Sequence, residues 1–377
     1  MKYDNAMRRQ VMSLPELIRT QYKDLEPKTR RVLTTPEIFS IQKILLTGCG
    51  DSYAAALASK YAFESLTGVP TDVVTAIELS RYYPEKQLGF APHNPLVIAV
   101  SNSGKVARVG EAIQRAAAHD AFSLGITGSR DSLLGKSSGR VLDLDVPPFE
   151  SAPGTRSYMV ALMSLFLIAI RIGEVRGSYT MDHAMDIRHE MAAMADKMED
   201  ALCKMDQQVI NLAESWKDME AYDFIGSGAD YAAAWFGHAK IFEALGRYSM
   251  HINTEDWLHL NCFMRRVEKI GTVLVCGGDS PAKSRAGELL GYAEKMGRSM
   301  VVITDDPKAF PIESACCIQV PALKFALLNP MMQFVPICLL AGYMMEMTGE
   351  ENGRGCKGPW SFCKGGAAIH NSEIEII

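Results

Sequence analysis

Positive charge is not in excess in this chain, since 39 lysines and arginines face 44 aspartates and glutamates, for a formal net charge of -5 at pH 7. Without a broad basic surface, nucleic acid and anionic membranes are poor partners, whereas a small anion needs only a few local donors. A disulfide framework is also missing. The nine cysteines are odd in number, follow no framework spacing and include the adjacent Cys316 and Cys317, which fits a reducing compartment and mostly buried thiols. The opening MKYDNAMRRQVMSLPELI scatters charges and has no apolar stretch, so no secretory leader is read there and a cytoplasmic location is expected. Residues 159–170 and 331–347, the latter broken by Gln333 and Pro336, fall short of the roughly 20 apolar residues of a membrane span and read as buried core helices. Cys356, Cys363 and His370 match no standard metal spacing. Neither a metal nor a cofactor is expected.

With 48% hydrophobic and 22% charged residues, the chain has the composition of an ordinary globular protein. Its 377 residues exceed what one core usually serves, which suggests two domains. An internal repeat supports this. GCGDSYAAA, beginning at Gly48, returns as GSGADYAAA beginning at Gly226. SNSGKVARVGE, beginning at Ser101, meets GDSPAKSRAGE, beginning at Gly278, and Thr127 meets Thr304 at nearly the same offset. Three matches in order at one spacing argue for two copies of one domain.

Within each copy, short apolar runs alternate with longer stretches of helical period, the pattern of an α/β fold with a parallel sheet and crossover helices. Strands are expected near residues 44–47, 96–100, 123–127 and 141–146, then near 223–227, 273–277, 300–304 and 317–321. The expected organisation is a helical arm (1–35), a first domain (36–177), a helical linker (178–217), a second domain (218–349) and an irregular, Gly-rich tail (350–377).

In open parallel sheets, ligands collect at the carboxyl ends of strands, where the next helix starts and its free N–H groups favour an anion. Two first-domain turns fit. Gly48-Cys49-Gly50-Asp51-Ser52 follows the first strand, and Ser101-Asn102-Ser103-Gly104 follows the second. Such serines also serve as plain helix caps, and Gly-x-Gly after a strand is common. Tyr53 stands where the third glycine of a dinucleotide fingerprint belongs, and the P-loop lysine is absent. Many neutral donors with little charge suit a single phosphate group. The second copy has Asp230 for Ser52 and Gly278 for Ser101, so the turn pair is specialised in the first copy alone.

These residues resemble the SIS (sugar isomerase) domain family, in which the domain occurs in pairs; the likeness covers nearly the whole chain except its ends. The resemblance implies two tandem SIS domains, each a parallel sheet flanked by helices in a flavodoxin-like three-layer sandwich. It assigns Ser52, Ser101, Asn102 and Ser103 to a sugar phosphate, with Gly50 and Asp51 beside the sugar. It also places Glu150 and Thr155, in the ESAPGT segment, near the sugar. Val106 stands where the family loop ends in a phosphate-binding threonine.

For the chemistry, the resemblance points to Glu243 in AKIFEAL as the base that moves a proton between C1 and C2 of an open-chain sugar through an enediol or enaminol. From residue type alone Glu243 reads more readily as a solvated helix glutamate, and only the resemblance reverses that. His259 in EDWLHLN is nearest to the family's ring-opening histidine, although the Gly-Pro that follows it in the family is absent; a buried or capping histidine is the competing reading. Phe242 replaces a family lysine, and Lys364 in the tail is a substitute candidate. The tail itself is a candidate lid. With few residues before the first strand, no glutaminase domain is expected. The implied activity is a phosphosugar isomerase or a ketosamine-phosphate deglycase or deaminase, with a sugar-phosphate-binding regulator that lost catalysis as the alternative. A homodimer is expected, with His259 acting in cis or across it.

Overall fold

The computed structural model describes residues 3–311, 316–353 and 367–377. Among these residues, ten strands form two five-stranded sheets, with every pairing within them parallel. The first sheet holds β1 (Ile44–Gly48), β2 (Thr71–Val73), β3 (Leu96–Val100), β4 (Phe122–Thr127) and β5 (Arg140–Asp143), in the order β2-β1-β3-β4-β5. The second holds β6 (Ala221–Ile225), β7 (Tyr248–Ile252), β8 (Ile270–Val275), β9 (Ser299–Thr304) and β10 (Cys316–Gln319), in the order β10-β9-β8-β6-β7. Read from β7, the second order repeats the first. The duplicated α/β plan is therefore present in the backbone.

All residues of β1, β3 and β8 are buried, as expected where helices cover both faces of a parallel sheet. Two strands escape the sequence pattern. β2 has only three residues, and β7 is largely half-exposed and carries His251; both are edge strands, where apolar content is not required. The strand expected at 141–146 ends at Asp143, because its neighbour β4 ends at Thr127; the Leu144 N–H still reaches the Thr127 carbonyl at 2.9 Å, and beyond it Gln21 donates to the Asp145 carbonyl at 2.8 Å.

The chain divides into two compact units. One takes Leu17–Pro148, Arg156–Ala192 and the described residues of Gly353–Ile377, and contains the first sheet. The other takes the described residues of Met1–Glu16, then Phe149–Thr155 and Ala193–Asn352, and contains the second sheet. The segment expected to be a linker is one helix, Met181–Trp216, whose residues are shared between the units.

Two apolar segments are longer than the sequence suggests. Arg156–Arg176 and Ala326–Met347 are long and apolar enough to cross a membrane by length and composition, yet their apolar windows are 83% and 94% buried within the fold. Both are core helices. The cysteines are less uniformly buried than expected: of those described, Cys276 and Cys338 are buried, while Cys203, Cys262 and Cys316 are exposed. None of the described cysteines forms a disulfide.

Candidate functional site

The chain runs from β1 outward to β2 on one side and from β3 to β4 and β5 on the other, so the switch in direction falls between β1 and β3. Gly48 pairs with Val100 at the carboxyl ends of these two strands, and the turns that follow them start side by side. This is where open α/β sheets hold ligands.

Each turn is shaped by glycine. Gly50 has φ +58 and caps the helix Asp51–Thr67 without any side-chain bond. Gly104 has φ +64, and a Cβ there would lie 2.0 Å from the Ser132 hydroxyl; both constraints exclude a side chain. Ser101 is buried, its hydroxyl accepting the Gly104 N–H at 3.1 Å, and the Ser103 hydroxyl accepts the Lys105 N–H at 3.3 Å. The serines thus do act as local caps. Among the described residues, however, no protein acceptor takes the N–H of Asn102 or of Ser103. Two adjacent backbone donors at a strand end, beside a helix that starts at Asp51 and carries Ser52 in its first turn, are an arrangement that suits an anion. Val106 is the N-cap of the next helix, Ala107–Ala118, and provides no side-chain bond.

That helix is tied to the end of the chain. Glu111, fully buried on it, is held by Arg81 at 2.7 Å and by Arg108 at 2.5 Å. The carboxylate also accepts the Glu375 backbone N–H at 2.9 Å, and Arg81 reaches the Glu375 carboxylate at 2.6 Å. Arg115 donates to the Ile377 carbonyl at 2.9 Å, while Arg108 bonds the Ser372 hydroxyl and the Glu373 carbonyl. The tail is not wholly irregular, since Ala367–His370 forms a helical turn. Lys364, Cys356 and Cys363 lie outside the described residues.

In the other unit, Glu243 lies on the helix Tyr231–Leu245 with its side chain half exposed, and its carboxylate meets the ammonium of Lys240 at 2.5 Å. Lys240 is fully buried, one turn earlier on the same helix, with its ammonium 5.0 Å from the centre of the Phe236 ring. Nothing in the sequence singles it out. A lysine three residues before a glutamate reads as a solvated pair, and only its burial marks it as special. His259 is exposed on the helix Thr254–Leu260. Glu150 is gripped by both sides of the Arg9 guanidinium at 2.7 and 2.8 Å, which holds its carboxyl below the usual range. Thr155 is buried, donating to the Pro153 carbonyl at 3.2 Å.

The repeat register changes once backbone bonds are compared. Ser101 donates its N–H to Ile126, and Cys276 donates to Ile303 at the matching place. Cys276, and not Gly278, therefore stands where Ser101 stands, because the loop after β8 is longer.

Residues 37–171 match the family model of the SIS domain. The glutamine–fructose-6-phosphate aminotransferase (isomerizing) of Gloeobacter violaceus is 24% identical over 363 residues, which cover 92% of this chain and 56% of that protein. The chain thus spans about half the length of the curated relatives it matches. Among solved structures, the C-terminal domain of glucosamine-fructose-6-phosphate aminotransferase from Francisella tularensis superposes with a TM-score of 0.81 at 17% identity, covering 93% of this chain and 98% of that one. Tagatose-6-phosphate ketose/aldose isomerase from Escherichia coli gives 0.72 at 14% identity, covering 92% and 94%. Residues 37–171 are thus similar to the SIS domain, and the chain carries the fold of these solved structures, a five-stranded parallel sheet flanked by helices in each of two tandem copies.

Proposed function

We propose that the chain is a phosphosugar isomerase, or a deglycase or deaminase of a ketosamine phosphate, working through an enediol or enaminol. The observation that carries this reading is the pair of N–H groups at Asn102 and Ser103 that no acceptor among the described residues takes, beside the Gly48 to Ser52 turn at the switch between β1 and β3. Ser52, Ser101, Asn102 and Ser103 hold the phosphate, with Gly50 and Asp51 lining the sugar end. Relatives named for hexose 6-phosphate chemistry support that substrate class.

Glu243 is the base. Its half-exposed carboxylate can take a carbon-bound proton and return it to the neighbouring carbon, while the ion pair with Lys240 orients it. By resemblance alone, His259 is the ring-opening histidine, Lys364 the catalytic substitute for the family's lysine, and Glu150 and Thr155 lie near the sugar; the working form is taken to be a homodimer. The test is turnover on a panel of hexose 6-phosphates and ketosamine phosphates. The proposal expects conversion of at least one member and its loss in Glu243→Gln; no turnover of any member would overturn it.

A second reading is a regulator that binds the sugar phosphate without converting it. Val106 favours it, since that N-cap lacks the hydroxyl found in the family. Under this reading, Glu243→Gln leaves ligand affinity unchanged and there is no turnover to lose.

A further inference from the structure

The second unit builds the same turn and occupies it with its own side chains. At the end of β8, Gly277 and Gly278 stand where Asn102 and Ser103 stand at the end of β3, by the backbone bonds that match Cys276 to Ser101. In the first unit those two N–H groups meet no protein acceptor among the described residues. In the second, the Gly277 N–H is taken by the Asp230 carboxylate at 3.3 Å, and the Gly278 N–H by the Asp305 carboxylate at 2.8 Å.

Both carboxylates come from positions where the first copy has no acid. Asp230 matches Ser52 in the Gly-x-Gly turn, and Asp305 matches Gly128, directly after the paired threonines Thr127 and Thr304. Further donors converge on the same place. Gln333 gives its amide N–H to Asp230 at 2.6 Å, and the amide nitrogen of Asn329 faces Gly277. Asp230 is almost fully buried. Burial raises its carboxyl above the usual range, and the same surroundings push the Cys276 thiol up to about 12. Backbone donors aimed at a strand end favour a negative group, and here the chain supplies that group itself.

We infer that the second SIS domain keeps an anion cradle sealed by Asp230 and Asp305, and that restoring the first-copy residues at these two positions opens it to a phosphate group. The inference rests on the reading of the first turn as a phosphate site, but it has its own readout. The chain as it stands then holds phosphate in the first domain only, and the two copies differ by self-occupation of the second site.

The test is a titration of the full chain, labelled with 15N at glycine, with inorganic phosphate. In the wild type, the Gly104 amide responds while Gly277 and Gly278 do not. In the double variant Asp230→Ser/Asp305→Gly, the Gly277 and Gly278 amides respond as well and saturate. If the double variant fails to fold, Asp305→Gly alone leaves Asp230 and Gln333 in place, frees the Gly278 N–H and carries the same expectation for that amide. A folded variant whose Gly277 and Gly278 amides ignore phosphate overturns the inference, as does a wild type in which they respond. A silent Gly104 would instead count against the first-domain site.

Discussion

Lys240 and Glu243 form an ion pair at 2.5 Å in which the lysine is fully buried and the glutamate side chain is 49% exposed. The asymmetry has energetic consequences. Removing the carboxylate strands a buried ammonium, whereas replacing the lysine by an apolar side chain of similar length removes the charge that needed compensation. Glu243→Gln should therefore destabilise the fold by about 1–2 kcal/mol, less than a wholly buried pair because water reaches the carboxylate. Lys240→Met should cost less in denaturant melts. If Glu243 is the base, turnover in Glu243→Gln should fall by about 100-fold or more.

A second buried pair makes a purely structural prediction. Asp223 on β6 accepts from Arg298 at 3.0 Å and from the Trp257 indole at 3.2 Å, all three being buried. Burial raises the Asp223 carboxyl and lowers the Arg298 guanidinium, so desolvation outweighs attraction at both ends. Asp223→Ala should cost about 3–5 kcal/mol in chemical denaturation, because it leaves Arg298 buried without its charge partner.

Acid should loosen the second unit through a histidine. The His238 ring lies 4.4 Å from that of His251, centre to centre, and close to Trp235 and Phe242. Burial, reinforced by His251, lowers it from 6.5 to about 4. The folded state thus disfavours the protonated ring. The stability gained from keeping it neutral is complete above the unfolded value near 6.5 and is lost as pH falls toward 4. His238→Phe should flatten that part of the stability profile, measured by urea melts across the window.

The tail contacts predict a coupling within the first unit. Deleting the last six residues removes the Glu375 and Ile377 contacts and leaves Glu111 and Arg115 buried with fewer partners. The loss should be about 1–3 kcal/mol. Hydrogen exchange should quicken along Ala107–Ala118, the helix that follows the serine turn; unchanged exchange there would show that the tail does not brace it.

Much of the fold was legible because glycine and serine punctuate apolar runs at strand ends, and because the repeat disclosed two copies. The short edge strands were not, since Thr71–Val73 and Tyr248–Ile252 need little apolar content. The glycine- and serine-shaped turn after β3 was readable from Ser101, Ser103 and Gly104, whereas the lack of a protein acceptor, among the described residues, for the N–H groups of Asn102 and Ser103 is a property of backbone geometry. Lys240 was hidden because burial is set by tertiary packing. The sequence alignment paired Ser101 with Gly278, since it could not register the longer loop that puts Cys276 in that place.

The central claim is that the turns after β1 and β3 hold the phosphate of a sugar. The most direct measurement is calorimetric titration of a hexose 6-phosphate and of the same hexose without phosphate, into the wild type and into Ser101→Ala/Ser103→Ala. The prediction is binding of the phosphorylated sugar alone, weakened in the variant by about 1 kcal/mol for each hydrogen bond lost. Equal binding of the two sugars, or an affinity untouched by the serine replacements, would contradict it.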